Sequence, residues 1–341
     1  MFTTPASRVA HANAVATGHR AMNVRRALSF VLLALCGCSA GTAAAPVAPV
    51  PPVVPPVVPP VVWTTTAISA PRVQYRTFSS VIARATVSYH VYTPPQYDSD
   101  ATRRFPVLYW LHGSGGGLGG IAILAAYFDD AIRAGRIPPM LVVFPNGMAS
   151  SMWADSKDGR VPMESMVVRD LVPHVDATFR TVATRDGRLL EGFSMGGYGA
   201  ARWGLRYPDV FGAMSMFAAG PLDLDFNGPR ATGNPAERAQ ILRDVYSDDM
   251  TYYVALNPFT VAEQYAATIR GTPRALTRFR QVVGSLDFTL PANEEFRAHV
   301  TRLTIAQEYT LVPNVGHDTM ALLEALGERN FAFYRAVFAP R

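Results

Sequence analysis

The chain has 341 residues, of which 49% are hydrophobic and 17% charged, and its formal net charge is +5 at pH 7. Residues 1–38 contain four arginines and no acidic residue, so the rest of the chain carries 27 basic against 26 acidic side chains. This balance argues against a nucleic-acid-binding protein and against electrostatic attachment to an anionic surface. Both cysteines, Cys36 and Cys38, lie in the N-terminal part, which leaves no disulfide and no cysteine metal site for the folded part.

Residues 1–38 contain the pattern of a secretory signal. Two arginines at 25 and 26 precede a short apolar run over residues 27–35, which is too short to span a bilayer. The end of this run resembles a bacterial lipobox and predicts that Cys38 is lipidated. Because Met22 begins a complete signal by itself, translation is expected to start there. The protein is expected to be exported and anchored by lipid to the cell envelope, or otherwise to be periplasmic or secreted.

Residues 39–66 form a predicted linker rich in proline and valine. Proline fixes φ and removes backbone donors, so residues 46–62 are predicted to be an extended polyproline II spacer. At about 3.1 Å per residue its length is roughly 50 Å. Such a spacer would hold a domain away from the membrane. A featureless low-complexity tail and a ligand for a proline-binding partner are the alternatives.

Residues 67–341 suffice for one large domain with a full core. Predicted strands cover residues 73–79, 85–92, 107–111, 141–144, 188–192, 213–217, 279–283 and 308–312, and predicted helices cover 121–134, 166–179, 195–207, 291–303 and 319–338. This alternation predicts an α/β fold with a mostly parallel sheet of about eight strands, helices on both faces and a ligand site at the carboxyl ends of the strands. The first two strands are expected to form an antiparallel edge. Residues 221–271 are expected to form a cap over the site, whose aromatic side chains either line it or simply pack: Phe226, Tyr246, Tyr252, Tyr253, Phe259 and Tyr265.

The segment 192–199 reads Gly-Phe-Ser-Met-Gly-Gly-Tyr-Gly and contains a GxSxG motif centred on Ser194. An apolar run precedes the motif and a helical run follows it. This context favours a nucleophile elbow, in which a serine lies on a strained turn between a strand and a helix and glycines relieve the crowding. The helix that begins at Met195 would point its free N–H groups and its positive dipole end at the site. The motif therefore predicts acyl transfer through a serine ester.

A second motif follows the predicted strand 107–111 and reads His-Gly-Ser-Gly-Gly-Gly over residues 112–117. It matches the oxyanion loop that follows the third strand in α/β-hydrolases. A flexible glycine-rich turn is the alternative, and a P-loop is excluded because no Gly-Lys-Ser/Thr follows. The backbone N–H groups of Ser114 and Met195 are the predicted oxyanion donors. We also predict that His112, Gly115 and Trp153 contact the substrate.

The general base must be a histidine, and in this architecture the chain order is serine, then an acid, then histidine. Only His299 and His317 follow Ser194. His299 falls in the predicted helix 291–303 and is better explained as a residue of the helix surface. His317 follows a predicted strand and a turn-forming Pro-Asn-Val-Gly, where a loop lets the imidazole reach both the serine and the leaving group. His317 is therefore the predicted base.

Asp287 is the predicted orienting acid, because it lies at the carboxyl end of the strand-like run 278–287 and one helix and one strand separate it from His317. Glu191, just before the elbow, is a charge on a strand that should be buried on both faces. A paired structural carboxylate is favoured for Glu191 over a residue that shifts the local field. Other acids that follow Ser194 lie in polar, interrupted segments where a carboxylate is usually only solvated: Asp223, Asp225, Asp248, Asp249 and Glu263.

These motifs, in this order, resemble the esterase D-like family of α/β-hydrolases, which includes feruloyl and acetyl-xylan esterases, S-formylglutathione hydrolase and mycobacterial mycolyltransferases. The resemblance covers roughly residues 89–338. It rests on the two motifs above and on Phe-Pro-Asn-Gly at 144–147 with Trp153 and Asp155, Asp-Leu-Val-Pro-His-Val-Asp at 170–176, Arg-Tyr-Pro-Asp-Val-Phe at 206–211, Gly-Ser-Leu-Asp at 284–287 with Asn293 and Phe296, and Gly-His-Asp at 316–318. It implies an α/β-hydrolase fold and the roles of nucleophile for Ser194, acid for Asp287 and base for His317, in agreement with the topology.

The expected protein is thus a serine esterase without metal or cofactor, because no cluster of histidines and carboxylates has metal-like spacing. The expected partner is a small-molecule or glycan ester, with acetyl and feruloyl esters of carbohydrates as candidates. Asn146 stands where many relatives carry aspartate, and Thr-Met-Ala at 319–321 replaces a tryptophan-bearing helix start, so the substrate stays open. An acyltransferase would use the same acyl-enzyme and is not separated by the sequence. A non-catalytic cell-surface binding module would be expected to have lost one of the three residues.

Overall fold

The computed structural model describes residues 60–229, 231 and 234–339, all within the compact unit Val58–Arg341. The predicted signal, Met22, Cys38 and residues 39–59 of the predicted linker lie outside the described residues. Residues 60–66 are not a free spacer, because Trp63 is buried. Its carbonyl oxygen accepts hydrogen bonds from the Ser88 backbone (3.1 Å) and the Asn146 side chain (3.0 Å). The folded domain therefore begins before the predicted boundary at residue 67.

Eight strands form one sheet: β1 Val73–Ser80, β2 Ala85–Tyr92, β3 Val107–Leu111, β4 Leu141–Pro145, β5 Arg188–Phe193, β6 Ala213–Phe217, β7 Arg278–Gly284 and β8 Glu308–Val312. Their spatial order is β1-β2-β4-β3-β5-β6-β7-β8. The β1–β2 and β2–β4 pairs are antiparallel, and the remaining pairs are parallel. The predicted α/β fold, its mostly parallel eight-stranded sheet and its antiparallel edge are confirmed.

The helices of the described residues are α1 Gln96–Ser99, α2 Leu118–Arg133, α3 Met163–Met166, α4 Val172–Thr178, α5 Met195–Arg206, α6 Pro235–Tyr246, α7 Met250–Leu256, α8 Pro258–Thr268, α9 Leu290–Arg302, α10 Thr319–Leu326 and α11 Glu328–Val337. A π-helix, Val167–Leu171, joins α3 to α4. The prediction of one helix over residues 319–338 is wrong. Gly327 separates α10 from α11, since its φ of +51° is a left-handed conformation in which a helix cannot continue. No helix in this part of the chain is long and apolar enough to cross a bilayer.

The insertion at residues 221–271 contains α6, α7 and α8. Each of these helices begins at a polar side chain that accepts hydrogen bonds from the first-turn N–H groups: Asn234 for α6, Asp249 for α7 and Asn257 for α8. Such capping satisfies donors that a helix leaves open at its start. Polar residues that interrupt the hydrophobic pattern of the sequence are therefore helix starts in this insertion.

Two hydrophobic layers cover the two faces of the sheet. Side chains alternate along each strand, so Tyr109 and Leu111 of β3 face one layer while Leu108 and Trp110 face the other. Helices α3 to α9 pack in the first layer, and α2, α10 and α11 pack in the second. Strands buried on both faces explain the continuous apolar runs in the sequence.

Glu191 on β5 is fully buried and paired. Arg280 of β7 donates to its carboxylate (2.7 Å), and so does the Tyr334 hydroxyl of α11 (2.7 Å). Arg280 also donates to Ser215 of β6 (2.9 Å) and to Asn330 of α11 (2.7 Å). A buried charge pair is tolerated only when hydrogen bonds satisfy its remaining polar atoms. This network therefore ties the last helix to three adjacent strands.

Helix α5 approaches the sheet too closely for ordinary side chains. A Cβ atom at Gly196 would lie 1.9 Å from the carbonyl oxygen of Leu111 on β3, and one at Gly192 would lie 2.3 Å from the carbonyl oxygen of Gly196. Because both contacts are with backbone atoms, no side-chain rotation can relieve them. Glycine at these positions is a packing requirement.

We expect Gly196→Ala to lower the free energy of unfolding by about 3 kcal/mol, because α5 must move away from β3 to admit the methyl group. The matched control is Gly119→Ala in the first turn of α2, where a Cβ would meet no atom within 4 Å. This control should change stability by less than about 1 kcal/mol, in the stabilising direction, because alanine favours the helix. Urea denaturation followed by circular dichroism measures both changes, and equal midpoints for the two variants would contradict this packing.

Candidate active site

Ser194 lies at the turn between β5 and α5 in a strained backbone conformation, with φ +58° and ψ −119°. Residues other than glycine rarely adopt a positive φ. Two backbone hydrogen bonds hold the turn: the Ser194 N–H donates to Phe217 (2.9 Å), and the Gly220 N–H donates to the Ser194 carbonyl oxygen (3.2 Å). The turn has the geometry of a nucleophile elbow and presents the serine side chain at the carboxyl edge of the sheet.

The structure brings Ser194, His317 and Asp287 into one hydrogen-bonded chain. His317 Nε2 lies 2.9 Å from Ser194 Oγ, and His317 Nδ1 lies 3.0 and 2.9 Å from the two carboxylate oxygens of Asp287. Asp287 follows β7, and His317 lies in the loop between β8 and α10. With Nδ1 donating to the carboxylate, Nε2 carries no proton and is free to accept the serine proton.

The Asp287 carboxylate is buried, and its side chain has no exposed surface. Its Oδ1 atom accepts hydrogen bonds from the backbone N–H and the hydroxyl group of Thr289, both at 2.8 Å. Burial opposes ionisation, but the hydrogen bonds from His317 and Thr289 outweigh it and hold the pKa of Asp287 below its ordinary value. At neutral pH the carboxylate is therefore ionised and able to stabilise a positive charge on His317.

Two phenylalanine rings flank the imidazole of His317. The ring centres of Phe193 and Phe288 lie 4.5 and 4.4 Å from that of His317, each at an angle of 42°. Phe193 directly precedes the serine, and Phe288 directly follows the aspartate. The two rings restrict the orientation of the imidazole. Sequence reasoning missed both residues, since the only available signal was an aromatic residue adjacent to each motif residue.

The oxyanion loop, residues 112–117, passes next to Ser194. A Cβ atom at Gly113 would lie 3.2 Å from Ser194 Cβ, so the loop and the serine are in van der Waals contact. Ser114 lines the cavity beside the serine, and the buried Met195 begins α5. The two predicted oxyanion donors therefore belong to the two chain segments that border the serine side chain, which is the arrangement that a pair of donors requires.

A cavity of about 400 Å³ opens beside Ser194 and His317. Phe226 and Ile241 of the insertion form part of its wall. Of the other predicted aromatic residues, Tyr246 and Tyr253 are buried. The Tyr253 ring packs edge-to-face with Phe226, and the Tyr246 ring is tilted against it. Most of the lining is apolar, and the insertion also contributes polar side chains: Asp223, Asp225, Asn234, Glu237 and Arg238.

The three residues predicted to contact substrate do not line this cavity. Trp153 is fully buried behind the oxyanion loop, and its indole donates to the His112 carbonyl oxygen (3.1 Å). His112 and Gly115 border a second cavity of about 260 Å³. Burial lowers the pKa of His112 in spite of its hydrogen bond to the Gly113 carbonyl oxygen. The burial of Trp153 and the hydrogen bonds of all three residues indicate a structural contribution to the loop.

His299, the alternative base, lies on α9 and packs against the insertion. Its ring lies 4.9 Å from that of Phe259, and its Nε2 atom is 3.2 Å from the Phe259 carbonyl oxygen. The chain therefore brings His317, and not His299, to Ser194. Within the described ranges, no group of three or more histidine, cysteine, aspartate or glutamate side chains is arranged to hold a metal ion.

Residues 80–255, just over half of the chain, match the model of the family described as "Putative esterase". An esterase of Mycobacterium tuberculosis is 32% identical over 161 residues, which are 45% of this chain and 33% of that protein. An endo-1,4-beta-xylanase/feruloyl esterase of Xylanibacter ruminicola is 29% identical over 166 residues, which are 45% of this chain and 22% of that protein. The chain thus spans a third or less of the length of these curated relatives.

Solved structures share the fold. A ferulic acid esterase, 21% identical, matches 77% of this chain and 98% of its own with a TM-score of 0.62. An S-formylglutathione hydrolase from Agrobacterium tumefaciens, 17% identical, matches 78% of this chain and 95% of its own with a TM-score of 0.61. These likenesses show an α/β-hydrolase fold. Because the family match covers more than half of the sequence, the chain belongs to this esterase family.

Proposed function

We propose that the chain hydrolyses carboxylic esters through an acyl-enzyme formed on Ser194, with His317 as general base and Asp287 as orienting acid. The observation that carries this proposal is the continuous chain of hydrogen bonds from Ser194 Oγ through the imidazole to a buried, ionised carboxylate. The family model ends at residue 255 and contains only the serine of these three residues. The geometry therefore supplies support for the histidine and the aspartate that the family match does not.

In the proposed reaction, Ser194 Oγ attacks the ester carbonyl carbon while His317 Nε2 takes the serine proton. The negative charge that develops on the carbonyl oxygen is stabilised by the N–H groups of Ser114 and Met195, each contributing about 10²- to 10³-fold. His317 then gives the proton to the leaving alkoxide, and the alcohol departs. His317 Nε2 then takes a proton from water as the water oxygen attacks the acyl carbon. The bond between this carbon and Ser194 Oγ breaks, Ser194 regains its proton from His317, and the acid is released.

Replacing the three residues should affect the rate unequally. Ser194→Ala and His317→Ala are expected to lower kcat for p-nitrophenyl acetate by at least about 10⁴-fold, and Asp287→Ala by less, because part of the imidazole orientation is retained without it. Intact-mass spectrometry after treatment with a fluorophosphonate should show one adduct on the wild type and none on Ser194→Ala. Unchanged turnover by Ser194→Ala would exclude this serine as the nucleophile.

For the substrate we propose acetyl or feruloyl esters of carbohydrates. The support is the cavity of about 400 Å³ beside Ser194, with an apolar wall that includes Phe226 and Ile241, together with the feruloyl esterases among the relatives and structural neighbours. An aromatic acyl group would bury its ring against this wall, and such burial contributes about 25 cal/mol per Å² of apolar surface. An acetyl group would use only the part of the cavity nearest the serine.

Filling the cavity should separate these substrates. Ile241→Trp is expected to lower kcat/KM for methyl ferulate about tenfold or more, because the indole occupies space that the acyl ring needs, while p-nitrophenyl acetate turnover stays within about twofold. The control is Ile123→Trp, an exposed residue of α2 outside the cavity, which should leave both substrates unaffected. An equal loss for both esters in Ile241→Trp would argue against a feruloyl group in this cavity.

We further propose that the protein is exported and anchored by lipid at Cys38, which would make the lipid its only contact with the membrane. The support is the order of basic residues, apolar run and lipobox-like end in residues 22–38. Wild-type cells fed labelled palmitate should yield a labelled protein, and Cys38→Ser should not. Cys36→Ser is the matched control and should keep the label, whereas a labelled Cys38→Ser protein would exclude this anchor.

A further inference from the structure

Residues of the oxyanion loop line two cavities. Gly113 and Ser114 line the cavity of about 400 Å³ beside Ser194, and residues 115–117 line the cavity of about 260 Å³. A Cβ atom at Gly115 or Gly116 would meet no heavy atom within 4 Å. No side chain of the described residues packs around Gly115 and Gly116, so the position of this part of the loop depends on hydrogen bonds.

A second segment, residues 146–153, supplies these hydrogen bonds, and we call it the brace. The Gly147 N–H donates to His112 Nε2 (3.0 Å), and the Trp153 indole N–H donates to the His112 carbonyl oxygen (3.1 Å). The Ala149 carbonyl oxygen accepts from the Gly115 N–H (2.8 Å). The brace thus holds the loop on both sides of Ser114.

The brace is itself attached to α5, the helix that follows Ser194. The Trp203 indole N–H of α5 donates to the Trp153 carbonyl oxygen (2.9 Å). Gly199 of α5 leaves room for Trp153, since a Cβ at Gly199 would lie 2.7 Å from Trp153 Cβ. Within the brace, Ser151 Oγ donates to the Gly147 carbonyl oxygen (2.5 Å) and accepts from the Trp153 N–H (3.1 Å). A continuous path of bonds and contacts therefore connects α5 to the loop.

The backbone of the brace is strained in a way that tertiary contacts must maintain. Met148, Met152 and Trp153 have φ values of +55°, +54° and +51°. Each such conformation costs about 1–3 kcal/mol in a residue other than glycine and persists only where the surroundings enforce it. Trp153, one of these strained residues, donates a hydrogen bond to His112 and accepts one from Trp203.

The hydrogen bonds of His112 fix its protonation state. Its Nε2 atom accepts the Gly147 N–H and so carries no proton, which leaves the proton on Nδ1, 2.8 Å from the Gly113 carbonyl oxygen. A neutral ring therefore bonds to the brace with one nitrogen and to the loop with the other. The residue joins the two segments through its side chain and its backbone at once.

We infer that Trp153 and His112 are positioning residues, which transmit the position of α5 to the oxyanion loop and so keep the Ser114 N–H aligned with the oxygen bound beside Ser194. This inference rests on the proposed serine mechanism, because the oxygen that the Ser114 N–H stabilises becomes charged only in that mechanism. It also explains why neither residue lines the cavity that would hold the substrate.

The test compares an ester with its thionoester, in which sulfur replaces the carbonyl oxygen. Sulfur accepts weaker hydrogen bonds, so the ratio of the two rates reports on the alignment of the oxyanion donors. Trp153→Phe removes the indole N–H and keeps an aromatic ring. We expect it to lower kcat for p-nitrophenyl acetate about tenfold with KM within about twofold, and to lower kcat for the thionoester less than twofold.

The matched control is Tyr89→Phe, which removes a hydroxyl group bonded to His174 (3.1 Å) on α4, a helix outside both cavities. Like Trp153→Phe, this variant loses one part-buried hydrogen bond, and it should leave the ratio of ester to thionoester rates unchanged. A parallel loss of both rates in Trp153→Phe, or no loss in either, would overturn the inference, because neither result involves the alignment of the donors.

A pair of His112 variants tests the other connection. His112→Gln places an acceptor near the position of Nε2 and should retain most of the ester rate. His112→Leu has no acceptor for the Gly147 N–H and should lower the ratio of ester to thionoester rates, as Trp153→Phe does. Equal ratios in the two variants would contradict the connection. If Ser194→Ala keeps its turnover, the serine mechanism fails; if only the ratios fail to change, the mechanism stands and the brace does not position the loop.

Discussion

The close approach of α5 to β3 is the constraint on which the site depends. Gly196 is positioned so near the Leu111 carbonyl oxygen that any side chain would separate the helix from the sheet. Leu111 is also the last residue of β3, and the oxyanion loop begins at the next position. One backbone contact therefore sets the distance between the segment that carries Ser194 and the segment that carries Ser114.

Charged side chains lie in two places near this contact, in the interior of the sheet and at its carboxyl edge. In the buried interior, the Glu191 and Arg280 pair ties β5, β6 and β7 to α11 through hydrogen bonds to Ser215, Asn330 and Tyr334. At the edge of the sheet, Asp287 keeps its charge because His317 and Thr289 donate to it, while His112 is held neutral by burial. The two site histidines are thus surrounded differently: one faces a carboxylate and a cavity, and the other joins two backbone segments.

The sequence predicted the strands and the order of the elements because burial on both faces leaves a local signature in each strand. It also predicted Ser194, Asp287 and His317 as site residues, since each follows a strand and the carboxyl ends of parallel strands meet at one edge of the sheet. It did not predict the positions of His112, Gly115 and Trp153. Their partners lie some 30 to 40 positions away, and a hydrogen bond between distant segments leaves no local pattern. The break at Gly327 was missed because an apolar face continues on both sides of it.

The junction between the N-terminal tract and the domain does not lie where the composition changes. The proline-rich composition ends before Trp63, whose ring is buried and whose carbonyl oxygen accepts from Asn146, the first residue of the brace. Proteolysis after residue 66 would remove this acceptor and leave the Asn146 amide unpaired, next to the Gly147 N–H that bonds to His112. Residues 60–66 are therefore part of the folded domain, and a fragment that begins at residue 60 keeps them.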